Sequence, residues 1–315
     1  MAPYQRTAGL RHWSILSGQH EQGDYYDPDF WEDGKHIVEK GYATDIITDK
    51  AIKFLEGRDK SKPFCMMYHQ KAPHRNWMPA PRHLGIFNNT TFPEPASLFD
   101  DYEGRGRAAR EQDMSIEHTL TNDWDLKLLT REEMLKDTTN RLYSVYKRMP
   151  AAVQDKWDSV YAQRIAEYRK GDLKGKALIS WKYQQYMRDY LATVLSVDEN
   201  IGRLLNYLEK TGELDNTIIV YTSDQASSSA NTAGSTSALC TRNASACRLS
   251  SATPKLSSGK HKQCNLHECG LRSHFPRLCR CGNPVGHSGN FLETGVGERR
   301  QDTRRLAQGC LLPLL

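Results

Sequence analysis

Two short polar clusters close apolar runs in this 315-residue chain, and both carry residue types that do chemistry. The first, His69-Gln70-Lys71-Ala72-Pro73-His74, follows Phe64-Cys65-Met66-Met67-Tyr68; the second, Ser223-Asp224-Gln225, follows Ile218-Ile219-Val220-Tyr221-Thr222. A carboxylate beside an amide oxygen, as in Asp224 and Gln225, suits a hard cation such as Ca²⁺. An ammonium and an imidazole three positions apart, Lys71 and His74, suit an oxyanion. The same residues also have plain structural uses. Asp224 can cap a helix that follows it, and His74 can pack in a Pro-rich loop.

Ligands of open parallel sheets gather at the carboxyl ends of the strands, so the elements ahead of the two clusters matter. "KPFCMMYHQ" (Lys62–Gln70) has strand length and is predicted as a strand, with Cys65 a buried structural thiol inside it. Ahead of it, Ile46, Ile47, Ala51, Ile52 and Leu55 recur at helical spacing and Gly57 offers a stop. A long helix is predicted over Ile179–Lys210, its apolar stripe running through Tyr183, Met187, Leu191, Val194, Leu195, Ile201, Leu204, Leu205 and Leu208, with Gly212 ending it. Asn216–Asp224 then reads as a strand buried on both faces, as in parallel sheets. The polar stretch 93–176 reads as an insertion of helices and loops. The fold class is α/β.

Composition divides the chain at Gln225. Up to that residue there are 31 Lys and Arg against 34 Asp and Glu, with 27 aromatics; after it there are 12 against 4, with two aromatics, Phe275 and Phe291. Seven of the eight cysteines lie in the last 90 residues, which hold no Trp, Tyr, Ile or Met. Such a segment has little bulk to offset its ordering entropy, so residues 226–315 are expected to be disordered. No secretory apolar region and no run of about 18 apolar residues occurs, so no signal peptide or membrane span is expected in these residues.

"HWSILSGQ" (His12–Gln19), "HQKAPHRNWMPAPRHLG" (His69–Gly85) and "VDENIGRLLNYLEKTGELDNTIIVYTSDQ" (Val197–Gln225) resemble the sulfatase family, most of all bacterial sulfatases acting on sulfated sugars and glycosaminoglycans. The resemblance covers about His12 to Gln225. It implies a partial alkaline-phosphatase-like three-layer domain with a mostly parallel sheet, and hydrolysis of sulfate esters. In that family a formylglycine hydrate attacks sulfur, Ca²⁺ polarises the sulfate, and Lys and His side chains neutralise its oxygens and protonate the leaving alkoxide. His74 matches the sulfate-contacting His of the family's "PH" motif. Asp224 matches a metal-ligating Asp, with Gln225 beside it. Lys71 is a weaker substrate-binding candidate, and Arg75 is a neighbour without an assigned role. The resemblance also implies a periplasmic or secreted location.

The departures are as specific as the matches. No Cys-x-Pro-x-Arg or Ser-x-Pro-x-Arg occurs, so the formylglycine nucleophile is absent from these 315 residues, as are the amino-terminal Asp pair and the Lys of a "GKWHLG"-like segment. The second active-site Lys of the family should follow Gln225 in a "GEHGWFDKRFMYEE"-like stretch, and the residues from Ala226 show nothing like it. A legal choice of codons for Ala226 onward, preceded by one G, reads GFFLGEHGWFDKRFMYEE. Arg248–Lys255 re-reads in that frame as SIIRYPK. His267–Gly289 and Asp302–Leu315 re-read in the remaining frame into sulfatase-like segments, so a second shift is expected between about Lys255 and His267. Met1–Arg11 re-reads as WHLTSEPQGFD. Residues 1–11 are therefore expected to be an out-of-frame leader, 12–225 a partial catalytic domain, and 226–315 a frameshifted tail.

Other readings of the tail fit less well. Cys264, Cys269, Cys279 and Cys281 match no standard zinc spacing. The basic excess lacks the interleaved aromatics of a specific nucleic-acid site. Two functions remain. One is a sulfatase fragment without activity of its own, whose family substrate is a sulfated carbohydrate. The other is a non-catalytic binder of anionic glycans through Lys71, His74 and Arg75. Resequencing the DNA across the Gln225 codon is expected to show one additional G there, and an unaltered reading would remove the frameshift.

Overall fold

The computed structural model describes residues 12–18, 23–104, 106–111, 115–221, 248–252 and 262–265. Asp224 and Gln225, the expected leader 1–11 and the remainder of the expected tail 226–315 lie outside them. The described residues fall into two units, one made of Met1–Pro93 with Leu120–Leu204, the other of Glu94–Thr119 with Leu205–Arg300.

The first unit opens with three antiparallel strands, β1 (Ser14–Ser17), β2 (Asp29–Glu32) and β3 (Lys35–Val38), in register Ile15↔Trp31 and Phe30↔Ile37. Asp33 and Gly34 turn β2 into β3; both take positive φ, which Gly34 adopts without a side-chain penalty. Helix α1 (Ala43–Gly57) follows the expected pattern and buries Ile46, Ala51 and Leu55. Phe64–Met66 are then half-buried and Met67 is exposed. This corrects the expected strand Lys62–Gln70: among the described residues no ladder includes that run, and a strand needs a neighbour for its N–H and C=O groups. Cys65 is accordingly half-buried, not sealed in a core.

Stretch 93–176 contributes more than an insertion. After α2 (Arg107–Glu111) come α3 (Arg131–Lys136), closed by a capping box between Thr130 and Glu133, then α4 (Arg141–Tyr146) and α5 (Ala151–Arg169). Helix α5 inserts Trp157, Tyr161 and Ile165 into the main core beside Tyr25, Tyr26, Met78, Leu126 and Leu142. Spacings of four between those three residues put them on one helical face, which the surrounding charge had masked.

Helix α6 (Gly175–Lys210) is longer than its predicted span. Gly212, at φ +70°, ends it in a Schellman turn, with the Glu213 N–H on the Leu208 carbonyl (2.8 Å) and the Gly212 N–H on Glu209 (3.0 Å). The predicted apolar stripe is only part of what the helix buries. Tyr183, Leu204 and Leu208 are buried, but Met187, Leu191, Val194, Leu195 and Ile201 are half-buried. Sealed instead is a polar line, Lys182, Gln185, Asp189, Thr193, Ser196 and Asn200, repeating every three or four residues. Buried polar groups persist when they are hydrogen-bonded, and these have partners. Asn200 donates to Asp45 (2.7 Å), Ser196 meets the ring of His83 (3.0 Å), and Asp189 accepts from both Lys127 and Arg164.

In the second unit, β4 (Ile219–Tyr221) pairs antiparallel with β5 (Arg248–Ala252), which pairs antiparallel with β6 (Lys262–Asn265). Every described ladder is therefore antiparallel. Ile219 and Val220 are half-buried and Tyr221 is exposed, so the expected burial of this strand on both faces is not found. Two strands also fall within 226–315, where no secondary structure was expected. An open strand edge offers N–H and C=O groups that an extended segment can pair with, independently of side-chain bulk. No described helix is long and apolar enough to cross a membrane.

Asp189 is the central carboxylate of the first unit, so its removal gives a direct test. Burial alone would raise its pKa, but Arg164 and Lys127 outweigh that and hold it below the ordinary value. Its contribution to stability is thus complete above the unfolded-state pKa, about 3.9, and is lost as pH falls through the folded value. Asp189→Asn leaves two cations buried around a neutral amide. Urea unfolding at pH 7 is expected to show a loss of about 3–5 kcal/mol, with a flatter acid limb; an unchanged midpoint would contradict this.

Candidate functional site

The cluster Lys71–His74 lies in a loop that continues to Pro79. Trp77 takes φ +49°, a region that bulky residues rarely occupy. Strained backbone persists only where its surroundings over-determine it. Here three tyrosines donate to loop carbonyls: Tyr25 to His74 (2.6 Å), Tyr42 to Met78 (2.8 Å) and Tyr26 to Pro79 (2.5 Å). The fully buried Lys127 ammonium donates to the carbonyls of Asn76 (2.7 Å), Trp77 (3.2 Å) and Asp125 (2.9 Å), and to the Asp189 carboxylate (2.9 Å). Arg164 grips the same carboxylate with both terminal nitrogens, at 2.8 and 2.9 Å. The Trp77 ring meets Tyr186 edge-on at 4.6 Å.

This framework brings Lys71 and His74 together in one turn, closed by the His74 N–H on the Lys71 carbonyl (2.9 Å). His74 is exposed. Its Nδ1 lies 2.6 Å from the Arg75 carbonyl, which can only accept, so Nδ1 is the donor and Nε2 carries the lone pair in the neutral ring. That tautomer can accept a proton at Nε2 or, when charged, return one to an oxygen. Arg75 is committed to Asp125, Nε to Oδ1 at 2.6 Å and Nη2 to Oδ2 at 2.5 Å, and Asp125 is also held by the Thr121 N–H (2.8 Å). Arg75 is therefore an anchor of the loop.

Lys71 lines a cleft with Asp24, Tyr25, Trp124 and Arg141. Burial pushes its ammonium down to about 8, the Arg141 charge adds to the shift, and Asp24 opposes it. A cation poised in this way suits transient contact with an anion. Among the described residues no three His, Cys, Asp or Glu side chains converge on a possible ion. Asp224 and Gln225, the ligands that the family resemblance implies for Ca²⁺, lie outside the described residues.

Sequence reasoning found the loop but missed what holds it. Asp125 and Lys127 were legible as charges alternating with Leu126, Leu128 and Leu129, a pattern that puts charge where bulk is expected. Asp189 was legible as one of the polar residues at helical spacing on α6. Competitive acylation across a pH range is expected to give Lys71 an apparent pKa near 8, against about 10.4 for exposed lysines; an ordinary value would contradict the described desolvation.

The family model described as Sulfatase matches residues 3–263, running past 12–225 on both sides. An N-acetylglucosamine-6-O-sulfatase of Bacteroides thetaiotaomicron is 94% identical over 217 residues, 69% of this chain and 39% of that protein. The human N-acetylglucosamine-6-sulfatase is 25% identical over 227 residues, 69% of this chain and 30% of that protein. Among solved structures, BT4656 in complex with its substrate D-glucosamine-2-N,6-O-disulfate superposes with a TM-score of 0.78 at 82% identity, covering 80% of this chain and 51% of that one. The chain thus spans about half or less of the length of these relatives. With the match extending over most of its residues, it belongs to the sulfatase family.

Proposed function

We propose that this chain is part of a sulfatase catalytic domain that hydrolyses the 6-O-sulfate of glucosamine residues, and that the 315 residues alone bind such sugars without turning them over. The observation that carries the reading is the His74 loop. Its imidazole is exposed, fixed in one tautomer, and mounted on a backbone gripped by three tyrosines and Lys127. Support comes from the names of the relatives, which are N-acetylglucosamine-6-sulfatases.

On this reading His74 contacts the sulfate and shuttles a proton at Nε2, supplying it to the departing sugar alkoxide, while Lys71 adds positive charge at the edge of the site. Asp224 and Gln225 are the proposed metal ligands, and Ca²⁺ is the ion implied by family resemblance. The nucleophile belongs to residues that this sequence does not contain. The frameshift reading adds that Gln225 is followed in frame by the family's second Lys. Its support is the near agreement between 217 closely matched residues and the length of 12–225. The second reading, a non-catalytic glycan binder, draws on the cationic cleft beside Lys71.

The test compares this chain with the whole protein in which the continuation after Gln225 is in frame. The chain is expected to release no sulfate from N-acetylglucosamine 6-sulfate. In the whole protein, His74→Ala is expected to lower kcat by about 10²–10⁴-fold without altering the circular dichroism spectrum. Sulfate release by the chain alone, or an unchanged kcat in the variant, would overturn the reading.

A further inference from the structure

The scaffold reaches the His74 ring itself through the Arg75 carbonyl, which lies 2.6 Å from Nδ1. The loop carbonyls on either side are held from elsewhere, that of His74 by Tyr25 (2.6 Å) and that of Asn76 by Lys127 (2.7 Å). The Arg75 carbonyl faces the ring instead, and its direction follows from where the Arg75 side chain is fastened. That side chain forks onto Asp125, with Nε on Oδ1 at 2.6 Å and Nη2 on Oδ2 at 2.5 Å. Two parallel N–H···O contacts fix a guanidinium in both distance and plane, which a single contact does not.

Asp125 is itself held from several sides. Its side chain is 0% exposed, and Oδ2 also accepts from the Thr121 N–H (2.8 Å) and the Thr121 hydroxyl (3.1 Å). Backbone bonds from the Leu126 N–H to Thr121 (3.1 Å) and from the Leu128 N–H to Asn122 (2.8 Å) shape the turn around it. The same turn meets the next loop residue, because the Asn76 amide donates to the Trp124 carbonyl (3.2 Å). A carboxylate enclosed in this way is a fixed point. From it a line of contacts runs through the Arg75 side chain and backbone to the imidazole.

We propose that Asp125 is a positioning residue for sulfate-ester hydrolysis, acting through Arg75 to keep the Nδ1 hydrogen of His74 on the Arg75 carbonyl. The inference rests on the sulfatase reading above and deepens it by naming what selects the nitrogen that reacts. When a charged imidazole gives up a proton, the nitrogen whose N–H is held by a carbonyl retains its hydrogen. The proton then passes from Nε2 to the departing sugar alkoxide, and the ring ends neutral with its remaining hydrogen on Nδ1. With the Arg75 carbonyl turned aside, the ring can rotate and either nitrogen can carry that hydrogen. Fewer molecules would then present an aligned donor to the leaving oxygen.

The test uses the whole protein with the continuation after Gln225 in frame, carrying ¹⁵N-labelled histidine. The His74 signals are assigned by their loss in His74→Gln. In the unaltered protein, at a pH where the ring is neutral, they are expected to show a protonated Nδ1 and an unprotonated Nε2. Asp125→Asn sets an amide N–H against one arm of the guanidinium. It is expected to spread the hydrogen over both ring nitrogens and to lower kcat by about 10–100-fold. KM is expected to stay nearly unchanged, the split that marks a loss felt in the transition state. Arg75→Lys keeps a charge opposite Asp125 but loses the fork. It serves if the first variant fails to fold and is expected to move both readouts in the same direction. An unshifted hydrogen on Nδ1, or an unchanged kcat, in a folded variant overturns the inference; if His74→Ala still loses activity, the sulfatase reading stands. An unchanged kcat in His74→Ala overturns that reading and this inference with it.

Discussion

One buried carboxylate organises the first unit. Asp189 takes Lys127 and Arg164 together, and Lys127 then reaches the carbonyls of Asn76 and Trp77. An ammonium sealed from water must have its hydrogen bonds and its counter-charge supplied by protein. The demand runs in both directions. The loop carbonyls need donors because the backbone there is irregular, and the donor needs the loop because it has no water. Helices α5 and α6, which bring Arg164 and Asp189, are thereby tied to the turn that displays His74.

That arrangement explains which parts of the molecule could be read in advance. Helices α1 and α6 were legible because apolar residues recur at their period and glycine marks their ends. The PH loop was legible through its motif. The place of α5 in the core was hidden because Ser159, Ala162 and Gln163 stand exposed between Trp157, Tyr161 and Ile165, and the charged Arg164 among them is buried. The buried face of α6 was misjudged for the opposite reason. Its polar residues look like a solvated side unless their partners are known, and Lys127, His83 and Asp45 are distant in sequence. The run Lys62–Gln70 has strand composition, but composition does not supply a neighbouring strand. The acid–amide pair Asp224–Gln225 lies outside the described residues, so the cation half of the site rests on resemblance.

The charges around the loop are held in two ways. Arg75, Arg164 and Lys127 each face a carboxylate at hydrogen-bond distance, and these pairs hold structure. Lys71 and Arg141 also lie over rings, those of Tyr25 and Trp124, which help to orient them. A protein that must recognise an anionic ligand needs charge of the second kind, held by a scaffold of the first. Both kinds occur within one short turn and the helices behind it.

The tyrosine anchors of that turn have an evolutionary consequence. Tyr25, Tyr26 and Tyr42 clasp peptide oxygens of His74, Pro79 and Met78, and a peptide oxygen is the same whatever side chain its residue bears. Mutation can therefore retune the displayed surface of the hairpin-like bend while its course through space is inherited intact. Descendants of such a scaffold can diverge in what they bind and still present the imidazole from the same ledge.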